Sequence, residues 1–181
     1  MPLMGLSLSD AKQLLSCEKE IVGAVWKERT NDHKVATRIC YESRLKLDGV
    51  LPRGLWLRVV AFPQFPDKAT LQMDCEQPGT KTNVTMYRLE WRPLSGHTNG
   101  MDGKPEEFAG WYFAPGDTHE HCCLDHAVPT EDRIKVGGVH FARPITPDFQ
   151  NFAQVLSHAC VRLNIKNVGI IPKPGDQQSL F

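Results

Sequence analysis

The sequence predicts an α+β fold: a mostly antiparallel sheet of about six or seven strands, with an N-terminal and a C-terminal helix packed on one face. Three observations carry that expectation. Apolar and polar residues alternate in a run of short segments between residues 35 and 92. Turn-forming clusters, Pro52-Arg53-Gly54, Pro63 to Pro66 and Gln77-Pro78-Gly79, separate the segments and suit a meander of sequential strands. Apolar residues at helical spacing bracket the run at both ends.

The first element reads as a helix from about Ser9 to Arg29, because Leu14, Ile21, Val25 and Trp26 recur near helical spacing. Ser9 suits its N-cap, and Asp10 the positive end of its dipole. From Lys34 the period changes to two, with Val35, Thr37, Ile39 and Tyr41 alternating against Ala36, Arg38 and Cys40. Leu45 and Leu47 alternate before the Asp48-Gly49 turn, and Leu55 to Phe62, Ala69 to Cys75 and Val84 to Arg92 read as further strands. Residues 93 to 110 hold Pro93, Gly96, Gly100, Gly103, Pro105 and Gly110, a long connection of the kind that carries function. A short strand is expected over Thr118 to Leu124, and Gly137-Gly138 leads into a last one near Val139 to Ala142. The closing helix has Thr146 as cap, Pro147 in its first position, Asp148 at its positive end, and an apolar stripe of Phe149, Phe152, Ala153, Leu156, Cys160 and Leu163. One domain is expected over residues 1–171, with a flexible tail over 172–181.

The 181 residues carry 21 Lys plus Arg against 21 Asp plus Glu, so a binder that works by net basic charge is excluded, as is an acidic disordered tail. The zero is a cancellation between regions: residues 33 to 58 hold an excess of four positive charges and residues 97 to 132 an excess of seven negative ones. The N-terminal residues do not read as a secretory leader and none is expected, no run of 18 apolar residues occurs in the sequence, and the six scattered cysteines contain no C-x-x-C. The expectation is a cytoplasmic protein with reduced thiols and no membrane contact.

His97, His119, His121 and His126 fall within thirty residues, in the acidic region. On a strand His119 and His121 project from one face, with Asp125 further along it, and Glu120 and Cys122 point the other way. Two imidazoles so placed can chelate a divalent cation such as Zn²⁺, with Asp125 or a loop histidine as third ligand and Cys123 on the same face. The same pair can instead act as general acid and base, or simply hydrogen-bond to its neighbours. The segment Gly116 to His121 resembles the first metal motif of cupins, but the downstream Glu spacing and the second Pro-Gly-His motif are missing. Signatures of P-loop, dinucleotide, H-E-x-x-H and G-x-S-x-G sites are absent. Tyr87, Trp91, Trp111, Tyr112 and Phe113 flank the long loop.

The order strand (Met86 to Trp91), loop with His97-Thr98-Asn99, strand with His119-Glu120-His121, and amphipathic helix (Phe149 to Leu163) resembles a bacterial and phage-associated domain family similar to small toxin-like proteins of the TumE type. The likeness covers residues 84 to 165. It implies a small α+β domain of toxin–antitoxin or defence context, whose candidate site is a histidine-bearing sheet face. The longer loop and the acidic segment after His97 depart from that pattern.

Three functions compete. The first is an enzyme acting on RNA or a nucleotide phosphodiester, with His119, His121 and His97 as catalytic or metal-binding groups, Asn99, Trp111 and Tyr112 on the substrate, and Arg38, Arg44, Lys46, Arg53 and Arg58 available to phosphates. The second is a protein-binding module, antitoxin-like, an inhibitor or a phage accessory protein, that uses the aromatic, acidic loop. The third is a metal- or small-ligand-binding protein without turnover.

Overall fold

A computed structural model describes residues 6–30, 36–77, 82–102, 105–128, 133–134 and 139–174. The elements in chain order are α1 (Leu8–Ser16), β1 (Lys19–Ile21), β2 (Trp26–Thr30), β3 (Ala36–Leu47), β4 (Leu55–Phe62), β5 (Phe65–Glu76), β6 (Asn83–Trp91), β7 (His97–Thr98), β8 (Tyr112–Phe113), β9 (His119–Cys122), β10 (Ala127–Val128), β11 (Arg133–Ile134), β12 (Ala142–Pro144) and α2 (Phe152–Leu163). The expected α+β architecture is present. Eight of these strands form one sheet whose pairs are all antiparallel, in the order β1-β3-β4-β5-β6-β9-β12, with β2 also on β3. The small pairs β7–β8 and β10–β11 stand apart from it.

Strand alternation gives the sheet two unlike faces. Tyr41, Val59, Leu71 and Leu89 lie in one cross-strand row and are buried beneath the helices, in a core shared with Val155, Leu156, Ala159 and Leu163 of α2 and Ala11 of α1. The opposite face carries the rows Cys40–Val60–Thr70–Glu90–His119 and Glu42–Arg58–Gln72–Arg88–His121, which are mostly polar. All six cysteines are free thiols. No helix among the described residues is long and apolar enough to cross a membrane.

The N-terminal helix is shorter than its apolar spacing predicts. It ends at Ser16, and the residues expected to continue it form β1 and β2. β-branched Ile21, Val22 and Val25 surround Gly23, whose φ of 107° breaks the helical path, and the open edge of β3 supplies ladder partners for both short strands. Its cap is Ser7 rather than Ser9, with Oγ accepting from the Asp10 N–H at 2.9 Å. The closing helix likewise starts later than Pro147: Asn151 Oδ1 accepts from the Gln154 N–H at 3.0 Å and caps it. Asp148, expected at its start, instead accepts from Arg92 Nε at 2.7 Å and Thr118 Oγ1 at 2.6 Å.

The strand expected over Thr118 to Leu124 stops at Cys122 and passes into a tight turn over Cys123–His126. The last strand falls at Ala142 rather than Val139, where the Asn99 amide bonds both the N–H and the carbonyl of Ala142. Pro172, expected to begin a loose tail, accepts from Trp26 Nε1 at 3.0 Å. Val35, Gly103, Gly137-Gly138 and the tail beyond Pro174 lie outside the described residues.

Candidate metal centre

The pairing of β6 with β9 sets Glu90 opposite His119 and Arg88 opposite His121, so alternation puts all four side chains on the open face. There the long loop folds back over them. Its β7–β8 pair places His97 with its ring 5.8 Å from His119, nearly parallel, and 5.1 Å from His121, edge-on. Buried Phe113 closes the site with its ring 4.8 Å from His119. Gly96 permits this closure, because a Cβ there would meet Tyr112 Oη at 2.6 Å and the Phe113 carbonyl at 3.0 Å.

The tautomers follow from the partners. His119 Nδ1 lies 2.7 Å from the Asp117 carbonyl and His121 Nδ1 lies 3.0 Å from the Phe141 carbonyl. A carbonyl only accepts, so each Nδ1 carries a proton and each Nε2 faces inward. Both point at Glu90 Oε2, from 2.9 Å for His119 and 3.5 Å for His121. The first is a hydrogen bond if a proton sits between the atoms; the second lacks hydrogen-bond geometry, and His121 Nε2 is buried without a partner. Burial pushes the His121 pKa down to about 4, against the pull of Glu90. Burial also works to raise Glu90, yet the His119 and His121 contacts and the Arg88 charge outweigh it and hold the carboxyl well below its ordinary range. Three ligand atoms thus converge in a buried group that a proton between His119 and Glu90 satisfies and that could equally hold a cation.

Glu90, His119 and His121 could hold a metal ion, since their ligand atoms all lie within 4.8 Å of one another. Ligand atoms around tetrahedral Zn²⁺ sit about 3.4 Å apart for bonds of roughly 2.1 Å, and the two His–Glu90 distances of 2.9 and 3.5 Å bracket that value. The two Nδ1–H bonds to backbone carbonyls are the outer contacts that orient ligating histidines.

The other sequence-derived residues fall into different places. Asp125 is not brought to the group: the strand ends before it, and the buried carboxylate forms a two-point ion pair with Arg143. Cys123 packs in the hydrophobic core on the other side of the sheet. Asn99, expected on substrate, is 3 % exposed. Its Nδ2 donates to the carbonyls of Phe108 and Ala142, and its Oδ1 accepts from the Ala142 N–H and from His97 Nε2 at 3.0 Å, so it holds His97 in place. Trp111 and Tyr112 are exposed on the rim, with Trp111 stacked on Phe113 at 6.3 Å. Glu90 escaped sequence reading because its partnership with His119 is a matter of register, and no single sequence prints which strand lies beside which.

Beside this group the open face forms a cavity of about 590 Å³ that Glu90 and Arg88 also line. Compared with protein-family models, curated proteins and solved structures, the chain matches none.

Proposed function

We propose that Glu90, His119 and His121 hold a divalent cation, Zn²⁺ by their donor types, and that the protein is a metal-dependent hydrolase of phosphodiesters taken up in the adjoining cavity. The single observation behind this reading is the buried, unpartnered Nε2 of His121 aimed with His119 Nε2 at one carboxylate oxygen. Two imidazoles and one carboxylate leave positions open for water and substrate. The cation supplies Lewis acidity and brings its water towards a pKa of about 7. Phosphodiester is the substrate class because the cavity's cationic side chains outnumber its carboxylates.

The chain's own groups perform the remaining tasks. His97 donates Nε2–H to Asn99 Oδ1, which leaves its Nδ1 lone pair as a base beside the other two imidazoles. Arg88, opposite His121, steadies the phosphoryl oxygens. Water adds its oxygen to phosphorus, the bridging P–O bond breaks with its electron pair, and the proton taken by His97 passes to the leaving oxygen. No co-reactant beyond water is consumed.

Hydrolysis of bis(4-nitrophenyl) phosphate and of RNA by untagged protein tests this. Chelation should abolish turnover and added zinc restore it, and Glu90→Gln and the His119→Ala/His121→Ala pair should each lose at least about 10³-fold. Turnover indifferent to chelator and to these changes refutes it. One observation favours a second reading, as a protein-binding module: Met101, Trp111 and Tyr112 are exposed together on a loop that also carries exposed Glu107 and Asp117. On that reading Trp111→Ala/Tyr112→Ala weakens association with a partner while the metal-site changes leave it intact.

A further inference from the structure

Resting on the phosphodiester reading above, we infer that the site takes a single-stranded polynucleotide laid across the strands, not a mononucleotide. The cavity on the open face receives one cation from each of five neighbouring strands: Arg88 from β6, Lys68 from β5, Arg58 from β4, Arg38 from β3 and Arg29 from β2. Against these five stand two lining carboxylates, Glu42 and Glu90, so an excess of three positive charges faces the cavity. Glu42 accepts from Arg58 at 2.7 Å and lies 3.6 Å from Arg29, which holds both guanidinium groups on this face. Lys68 Nζ bonds the uncharged carbonyl of Arg92 at 3.0 Å, and no carboxylate among the described residues forms an ion pair with it.

Neighbouring strands lie about 4.8 Å apart, so the cations spread over roughly 19 Å from β6 to β2, in two rows about 13 Å apart along the strands: Arg88 with Arg58, and Lys68 with Arg38 and Arg29. A single phosphate meets one end of such a track; only a chain of phosphates meets its length. The track also has a direction. Its β6 end is continuous with the metal group, because Glu90 belongs to both and Arg88 pairs in register with His121. A strand lying along it therefore delivers one phosphodiester to the cation while its neighbours stay bound further out. Trp56, 39 % exposed on β4, lines a neighbouring pocket with Arg58 and has the Arg44 guanidinium over its ring at 6.0 Å; its remaining exposed surface suits an unpaired base, and a base inside a duplex is not free to reach it.

The test is fluorescence anisotropy on chelator-treated full-length protein, with labelled RNA and DNA oligonucleotides from dinucleotide to octanucleotide, over a range of salt. The octanucleotide should bind at least about tenfold more tightly than the dinucleotide, with a log–log salt slope near −3, from about −0.7 for each of four to five phosphates. Arg38→Ala/Arg58→Ala should weaken the octanucleotide about tenfold and take about 1.4 off the slope, and Arg38→Lys/Arg58→Lys, which keeps the charge, should restore most of both. Thermal melts confirm that both variants are folded. Equal affinity for dinucleotide and octanucleotide, a slope near zero, or tighter binding of duplex than of single strand overturns the inference. Because no metal is present, a failed zinc titration refutes the hydrolase reading and leaves this result standing, whereas absence of length dependence refutes the track whatever the metal result.

Discussion

His121 presents a lone pair to the centre of the site because its proton is held on the Phe141 side of the ring and burial disfavours a second one. Its folded pKa of about 4 lies below the ordinary 6.5, so between these values the unfolded chain binds more protons than the folded one. The neutral ring's contribution to stability is therefore fully present above pH 6.5 and is lost as pH falls through about 4. Melting of chelator-treated protein should shift to lower temperature across that window, and His121→Asn should flatten the profile; an unchanged Tm in the wild type contradicts it. Asn99 is a positioning residue, and Asn99→Ala removes the side-chain partner of the Ala142 N–H and carbonyl and frees His97, while the Phe108 carbonyl keeps the Trp111 N–H. The expected cost is about 2–3 kcal/mol in urea unfolding, with zinc stoichiometry retained and kcat reduced. At this scale the H-x-H pair was legible, since period two alone puts His119 and His121 together. Asp125 was misplaced because the same parity was carried past Cys122, where the backbone leaves the strand.

Among the elements, the two helices meet at a buried cation. Lys19 Nζ donates to the carbonyls of Leu15 and Cys17 at the end of α1, at 3.2 and 2.8 Å, and to that of Leu163 at the end of α2, at 2.9 Å. Burial pulls its pKa down to about 8, and at neutral pH it keeps three protons for three carbonyls. Both helix C-termini are thus satisfied by one ammonium group. Lys19→Met should cost roughly 2–4 kcal/mol, read as a lower urea midpoint, with zinc binding unaffected; a neutral effect contradicts the tie. α2 is pinned to the sheet from the other side of β9, where Glu120 accepts from Tyr87 at 2.7 Å, His158 at 2.9 Å and Arg162 at 2.8 Å. Burial works to raise Glu120, and these three partners overcome it and hold the carboxyl down at about 2. The central strands were legible from alternation and turn residues, and β4 falls at the expected bounds. The first helix was not, because Ile21, Val25 and Trp26 suit a short edge strand as well as a helix, and only the presence of β3 decides between them.

For the whole molecule, the neutral total conceals a division between the two faces of the sheet. Two carboxylates of the acidic segment are spent on fixing the fold: Glu120 on α2 and Asp125 on Arg143. The basic excess of the early strands is left on the open face, where Arg38 and Arg58 join Arg29, Lys68 and Arg88. The charge asymmetry was legible in composition. Its meaning was not, because it depends on which side of each strand a charge emerges and on the strand order that carries the cations towards Glu90.

The central claim is that Glu90, His119 and His121 share one cation. Zinc X-ray absorption on untagged protein loaded by titration measures this most directly. About one tightly bound equivalent is expected, with a coordination shell of two imidazole nitrogens and a carboxylate oxygen at about 2.0–2.2 Å that is lost in Glu90→Gln. Zinc that fails to bind, or a shell without imidazole, contradicts it.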